Sequence, residues 1–338
     1  FQTAYAAKFR EMWKTSIRPY IWEYLVLALL LIYNLIYLSW GPFQTKCYSL
    51  PDQYVHHSWL YGLTQGQIFS GGVYPSAMHC LLYAIHCLLG VKTRMLILFF
   101  GSIQGVAILL AFYCLMRELF RWRWVPLLAL TMISLCGNGT ELGLKSMVRL
   151  QGTLPLEFAM MFQFFCVLFL LRYLKSSQKP CGRGKLSGLI LGNDLLVFTM
   201  CVAATVSVHF HPAVTTVFMC LGIAPFYFRR VFSRERLLPL VAAVLAGVLA
   251  ALLPMAIAWA SGIPLNGSFG WGLKVIQNLE EDEGDKGDEE FQLQIEQEPD
   301  SDAETNIISK VVNTAAFVVQ MIYLGHLSLA RGYQYKAY

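Results

Sequence analysis

The residues with the clearest potential for chemistry lie in two short stretches, Pro51-Asp-Gln-Tyr-Val-His-His57 and Tyr74-Pro-Ser-Ala-Met-His79. Asp52 comes about a dozen residues after an apolar segment, 20–40, and histidines follow it at +4, +5 and +27. A carboxylate beside imidazoles can accept and donate protons near neutral pH. The pattern predicts polar chemistry at the mouth of a membrane-spanning helix, with Asp52 and His56 as the catalytic residues.

Asp52 also has a purely structural interpretation. Ser49-Leu-Pro-Asp52 matches the S-x-x-D pattern of a helix start, with proline in the first turn, where it is tolerated. A helix that begins here would run towards Gly66 and place His56 one turn after Asp52 on the same face. Capping and catalysis are compatible, and the sequence leaves both open.

Three further histidines are candidates for substrate binding. His79 belongs to a polar stripe along 76–90, a short segment that predicts a helix at the outer interface or beside a cavity. His209 and His211 stand where one apolar segment turns into the next, and Pro212 marks the break. Ionisable groups at membrane depth are functional candidates, although ordinary turn and interfacial histidines fit the same pattern.

The segment 138–154 carries Glu141, Lys145 and Arg149 at intervals of four, which is the spacing of one helical face. An ion-pair ladder is one interpretation. The other is phosphate binding by Lys145 and Arg149, since the guanidinium fork suits bidentate phosphate contact. The scarcity of other strong cations in the predicted outer loops favours phosphate binding, with Glu141 as a further binding residue.

The composition indicates a membrane protein. Hydrophobic residues make up 56% of 338 and charged residues 14%, and the mean hydropathy is +0.51. Soluble domains carry nearer a quarter charged residues. Apolar runs of 18 or more recur, each long enough to cross the hydrocarbon core as a helix, and the alternation of barrel strands is absent. The sequence predicts an all-α, polytopic transmembrane bundle with about eight spans.

The positive charges predict the orientation of these spans. Cations precede the first span and cluster between later ones, and cytoplasmic loops are the ones enriched in lysine and arginine. The N-terminus is therefore expected in the cytoplasm, and the loops 41–94, 138–154 and 261–306 outside. The predicted spans are 20–40, 95–116, 124–137, 155–174, 188–208, 212–228, 237–260 and 307–327.

Three regions follow from this arrangement. Residues 1–278 form the transmembrane domain with its outer loop 41–94. Residues 279–306 form an acidic outer loop that we expect to be disordered, because 13 acidic side chains and one lysine fall within 280–304. Residues 307–338 contain a further transmembrane helix. The chain lacks an initiator methionine and stops soon after this run, which predicts a fragment of a longer protein.

The order of motifs in residues 20–116 resembles the GT-C superfamily of membrane glycosyltransferases. Those enzymes have a cytoplasmic N-terminus, one span, and an outer loop that opens with an essential acid and continues into an interfacial helix. The chain looks closest to an uncharacterised bacterial subgroup with an Asp–His pair and a Tyr-Pro…His block. Beyond residue 116 the likeness is topological, plus the His211-Pro212 turn. The matching residues are Asp52, Tyr54-Val-His56, Ile68-Phe-Ser-Gly-Gly72, Tyr74-Pro75, His79 and Gly90-Val-Lys-Thr-Arg94.

The resemblance implies sugar transfer from a polyprenyl-phosphate-linked donor at the outer face of the cytoplasmic membrane. It assigns Asp52 as general base towards the acceptor hydroxyl or as a metal ligand, and Lys145 and Arg149 as groups that stabilise the phosphate. Residues 20–116, which carry the resemblance, contain no D-x-D, so no cofactor is certain and a divalent metal ion stays open. The expected partners are the lipid-linked donor and membrane lipid, without nucleic acid, and the sequence leaves the oligomeric state open.

The alternative is a non-enzymatic transporter, or a polymerase-type membrane protein, for lipid-linked saccharides. A transporter should show broken helices with polar residues near the middle of the membrane. In this sequence the polar groups gather in the predicted outer loops, which favours chemistry at the membrane surface.

Overall fold

The computed structural model describes residues 18–136, 149–176 and 193–267, together with Glu11 and Trp13. Within these ranges the chain is helical apart from turns and one isolated β-bridge, which confirms the predicted all-helical class. Several predictions fall outside the described residues: Glu141, Lys145, the acidic segment 279–306 and the terminal span 307–327.

The structure describes ten α-helices, which range in length from 4 to 27 residues. Two 3-10 turns, Arg18–Tyr20 and Ala224–Tyr227, precede the first and ninth α-helices. The α-helices, in chain order, are α1 Ile21–Thr45, α2 Asp52–Thr64, α3 Ala77–Leu89, α4 Thr93–Leu119, α5 Trp124–Cys136, α6 Pro155–Lys175, α7 Asn193–Val208, α8 Phe210–Ile223, α9 Phe228–Val231 and α10 Arg234–Ala260.

In the part of the chain that the structure describes, five helical segments are long and apolar enough to cross a membrane, and each coincides with a predicted span. The helices α5 and α7 overlap two more predicted spans. Their described lengths are 13 and 16 residues, below the roughly 20 that a full crossing requires. A count of eight spans is therefore not established. The five segments are Arg18–Thr45, Thr93–Leu119, Pro155–Lys175, Phe210–Val231 and Arg234–Ala260.

The helices α4 and α6 form the centre of the bundle, and α1, α8 and α10 lie at its periphery. Peripheral apolar side chains such as Trp22, Leu29 and Leu249 are more than half exposed. Large exposed apolar surfaces are unfavourable in water but suit a lipid environment, where the hydrocarbon covers them. The exposure of these side chains agrees with a multi-pass membrane protein.

One end of the bundle, called here the basic end, collects the cations that the sequence places between spans. Arg117 Nε donates to Glu23 Oε1 at 2.8 Å, and Lys175 Nζ to Glu118 Oε1 at 2.8 Å. Arg236 caps the end of α6 through the carbonyls of Tyr173 and Ser176. Arg123 and Arg230 likewise bind backbone carbonyls at this end.

The opposite end, called here the site end, holds α2 and α3. The end of α1 and the start of α4 are adjacent, as shown by the hydrogen bond from Arg94 Nη2 to the Lys46 carbonyl at 3.1 Å. The segment between them therefore starts and finishes at the same end. Leu60 of α2 and Met78 and Leu82 of α3 are fully buried against α4, α6 and the end of α7.

Candidate functional site

Asp52 opens α2, but the bonds that fix the start of this helix come from its neighbour. Gln53 Oε1 accepts from the backbone N–H groups of Ser49 and Leu50 at 3.0 and 3.2 Å, and from Ser49 Oγ at 3.1 Å. Gln53 Nε2 donates to the Ile97 carbonyl of α4 at 3.1 Å. Asp52 is exposed and makes no hydrogen bond to a described residue, so its carboxylate is left available for other work.

His56 and His79 form a hydrogen-bonded pair that joins α2 to α3. His56 Nδ1 lies 3.2 Å from His79 Nε2, so one ring donates and the other accepts. His79 is only 2% exposed, and the Trp59 ring stands 5.1 Å from His56 and 5.6 Å from His79. His79 reaches the site through its contact with His56, and its predicted role in substrate binding stays a prediction.

Burial keeps both rings of this pair neutral. It lowers the pKa of His56 to about 4, although the nearby Asp52 charge opposes the shift and His209 adds to it. Burial likewise lowers the pKa of His79 to about 3, and His56 contributes. Desolvation disfavours the charged form of an imidazole, so neither ring carries a proton charge near pH 7. Asp52 is the one acidic side chain in α2 and α3.

His209 and Tyr74 complete the cluster from the other side. His209 caps α8, since its Nδ1 accepts from the His211 backbone N–H at 3.1 Å. Its ring lies 6.0 Å from the Tyr74 ring, and burial lowers its pKa to about 4. Burial and then the Asp52 charge raise the pKa of Tyr74 to about 12, which keeps its hydroxyl protonated. His211 itself is exposed, with its side chain on the outside of this turn.

Two adjacent glycines bring Tyr74 into position. Gly72 has φ +87°, a left-handed conformation that favours glycine, and a Cβ on Gly71 would collide with the Trp59 ring. Val73 then pairs with the segment after α10, where its N–H donates to the Pro264 carbonyl at 2.8 Å. The loop between α2 and α3 is thus tied to the end of α10, directly beside Tyr74.

Arg149 reaches the site end through an acid that the sequence reasoning missed. Arg149 Nε donates to Glu157 Oε1 at 2.5 Å, and the Glu157 side chain is only 4% exposed. The turn between Arg149 and Glu157 lies beside the start of α2, because Gly152 is in contact range of Leu50 and Gln53. Glu157 lies in the first turn of α6, where an acid is ordinary, so the sequence alone gave no reason to single it out.

The structure thus brings together four of the predicted residues, Asp52, His56, His79 and His209, and places the turn that begins at Arg149 beside the start of α2. Within the described ranges, no three His, Cys, Asp or Glu side chains lie close enough to hold a metal ion. The divalent metal ion that the sequence left open stays open. Comparison with known protein families, with curated proteins and with solved structures found no match.

Proposed function

We propose that this protein is a membrane glycosyltransferase that moves a sugar from a polyprenyl-phosphate-linked donor to an acceptor at the site end of the bundle. The observation that carries the proposal is the Asp52 carboxylate, which is exposed and freed from capping by Gln53, beside the neutral ring of His56. The resemblance of residues 20–116 to the GT-C superfamily adds the substrate class.

Asp52 is suited to the role of general base. In the transfer, the acceptor hydroxyl gives its proton to the carboxylate while its oxygen bonds to the anomeric carbon of the sugar. The bond between that carbon and the phosphate oxygen breaks, and the phosphate leaves with the electron pair. A positioned base of this kind contributes about 10²–10⁴-fold to a rate. Arg149, whose side chain is 44% exposed, is placed to stabilise the charge that develops on the phosphate.

The neutral groups around Asp52 are suited to holding the sugar. Nδ1 of His56 forms the hydrogen bond with His79, and its other ring nitrogen, Nε2, can bind a substrate hydroxyl. Tyr74 keeps a protonated hydroxyl, and Trp59 lies 5.1 Å from its ring. Flat aromatic rings pack against the apolar faces of sugars, while the polar edges bind hydroxyl groups.

The test is sugar transfer from a polyprenyl-phosphate donor by the protein in nanodiscs, with Asp52→Asn compared against wild type at matched folded protein. Asparagine keeps the size of the side chain but removes its basic charge. We expect normal folding and a loss of turnover of about 10²–10⁴-fold. Asp194→Asn is the matched control, because Asp194 also lies in the first turn of a helix but at the basic end. Wild-type turnover in Asp52→Asn would refute the proposal.

Transport of a lipid-linked saccharide is the second candidate, and polar groups inside the bundle favour it. Asn34 of α1 is fully buried and donates to Ser134 Oγ of α5 at 2.8 Å, while its Oδ1 has no partner among the described residues. Buried polar groups at this depth are a feature of translocation paths. Movement of a lipid-linked saccharide across liposomes without formation of a new glycosidic bond would favour transport over transfer.

A further inference from the structure

The position of Glu157 in the first turn of α6 does not explain why its side chain is buried. An acid in the first turn of a helix interacts well with the helix dipole, and exposure to solvent does not prevent this. The Glu157 side chain is instead 4% exposed, and its Oε2 is buried without a hydrogen bond to any described residue. A buried carboxylate with an unpartnered oxygen is costly, so its place here indicates a role beyond starting α6.

The contact with Arg149 has a specific geometry. Glu157 Oε1 accepts from Nε, the inner nitrogen of the guanidinium group. Neither Nη group of Arg149 bonds to a described residue, and the side chain is 44% exposed. The two Nη groups form a flat fork that matches two phosphate oxygens. Glu157 thus fixes the guanidinium from behind and leaves its binding edge open.

The start of α2, which carries Asp52, lies close to the turn that begins at Arg149. The clamp formed by Glu157 and Arg149 lies beside the start of α2, the helix that Asp52 opens. The segment that carries Arg149 is also fixed to the bundle. Gly152 packs against Leu50 and Gln53 at the start of α2, and Thr153 Oγ1 donates to the Leu96 carbonyl at 3.5 Å.

We infer that Glu157 is a positioning residue, which holds the Arg149 guanidinium so that both Nη groups bind the phosphate of a lipid-linked ligand beside Asp52. The inference rests on the proposed function and names the part of the substrate that this side of the site recognises. Glu157 does not touch the phosphate, since two anionic groups would repel each other. It acts through Arg149.

A double-mutant cycle on phosphate binding tests the inference. The full chain in nanodiscs is titrated with polyprenyl phosphate, using wild type, Arg149→Ala, Glu157→Gln and the double variant. Loss of a charge-assisted contact should weaken binding about ten- to a hundredfold in Arg149→Ala. Glu157→Gln should weaken it about tenfold, and the double variant should match Arg149→Ala, because Glu157 acts only through Arg149.

Glu118→Gln is the matched control, because Glu118 pairs with Arg172 and Lys175 at the basic end. It should leave binding unchanged. Additive losses in the cycle, or wild-type binding by Glu157→Gln, would overturn the inference. Should Glu157→Gln fail to fold, Arg149→Lys replaces it, since lysine keeps the charge without Nε or the fork. Binding by Arg149→Lys as tight as wild type would show that the held geometry is not needed.

Further titrations identify the source of the phosphate. Polyprenyl phosphate should bind more tightly than phosphatidylglycerol or inorganic phosphate, and equal affinities would overturn the assignment to a lipid-linked donor. In transfer assays, Glu157→Gln should raise KM for the donor and leave kcat nearly unchanged. The wild-type protein could bind polyprenyl phosphate, and the cycle could be non-additive, while no sugar is transferred. That outcome would overturn the proposed function and leave this inference standing. Full transfer by Glu157→Gln with unchanged KM for the donor would overturn this inference and leave the proposed function standing.

Discussion

At the scale of single residues, Asp52 and Gln53 show how adjacent polar side chains take different roles. Gln53, one residue further along the helix, points into the protein. It is 1% exposed there and forms hydrogen bonds with Ser49, Leu50 and Ile97. Asp52 is left on the outer side. A residue that caps a helix can be replaced by another capping residue, whereas an exposed carboxylate beside neutral histidines offers a charge that nothing nearby replaces.

The buried histidines predict how stability depends on pH. Their folded pKa values, about 4 for His56 and His209 and about 3 for His79, lie below the unfolded value of about 6.5. The unfolded chain therefore binds more protons below pH 6.5, and the free energy of unfolding falls as the pH drops from about 6.5 towards 4. Each histidine contributes up to about 1.4 kcal/mol per pH unit. Melting temperatures of the detergent-solubilised protein across this range should fall accordingly.

His79→Gln gives this prediction a specific test, because glutamine can still bond to His56 but does not titrate. The variant should lose less stability than wild type between pH 6.5 and 4, whatever its stability at neutral pH. His86→Gln is the control, since His86 lies outside the cluster and bonds to the Val91 carbonyl at 2.7 Å. A His79→Gln slope equal to that of wild type would contradict the assignment of the pH dependence to the buried pair.

Part of the site could be predicted from the sequence, and the missing part has a physical reason. Local spacing places Asp52 and His56 one turn apart on one helix, whereas His79 meets His56 from a second helix. His209 joins them from the turn before α8, which Pro212 marked in the sequence. Glu157 comes near this cluster only through long-range packing, because Gly152 beside it lies against Leu50 and Gln53, about a hundred residues away. No local pattern distinguishes such an acid from an ordinary first-turn residue.

At the scale of the helices, the spans were the most predictable feature. Runs of about 20 apolar residues set the positions of α1, α4, α6 and α10 to within a few residues at most ends. The ends themselves depend on close contacts. The clearest is the crossing of α4 by the segment 149–153, where Gly101 lets the Gln151 carbonyl approach the helix backbone.

Gly101→Ala should disturb the site from a distance. A Cβ at this position would collide with the Gln151 carbonyl and with Gly152, both backbone groups that cannot move alone. Overpacking of this kind costs about 1–3 kcal/mol, and the displaced segment carries Arg149. We expect a lower melting temperature and weaker binding of polyprenyl phosphate.

Gly222→Ala is the matched control for this prediction. Gly222 also lies in a long apolar helical segment, and a Cβ there would meet no atom within 4 Å. Alanine has the higher helix propensity, so this variant should be at least as stable as wild type and bind as well. Equal behaviour of the two variants would show that the contact at Gly101 does not hold the binding segment in place.

At the scale of the whole molecule, charge and chemistry separate to opposite ends. The basic end binds its arginines and lysines through acids and helix-terminal carbonyls, as with Arg117 and Glu23. The site end holds the histidine cluster. Positive charge favours the cytoplasmic side of a membrane, so the basic end is expected inside and the site end outside. The proposed sugar transfer would then take place on the outer side of the membrane.

Thiol labelling tests this orientation with a reporter that the chain already carries. Cys47 is exposed and follows α1 at the site end, so a membrane-impermeant maleimide should label it in intact cells when the other cysteines are replaced by serine. Arg121→Cys, in a background without Cys47, places an exposed thiol at the basic end, between α4 and α5. It should react only after the cells are permeabilised. Labelling of Arg121→Cys from outside would reverse the orientation and place Asp52 in the cytoplasm, where a cytoplasmic donor would have to replace the lipid-linked one.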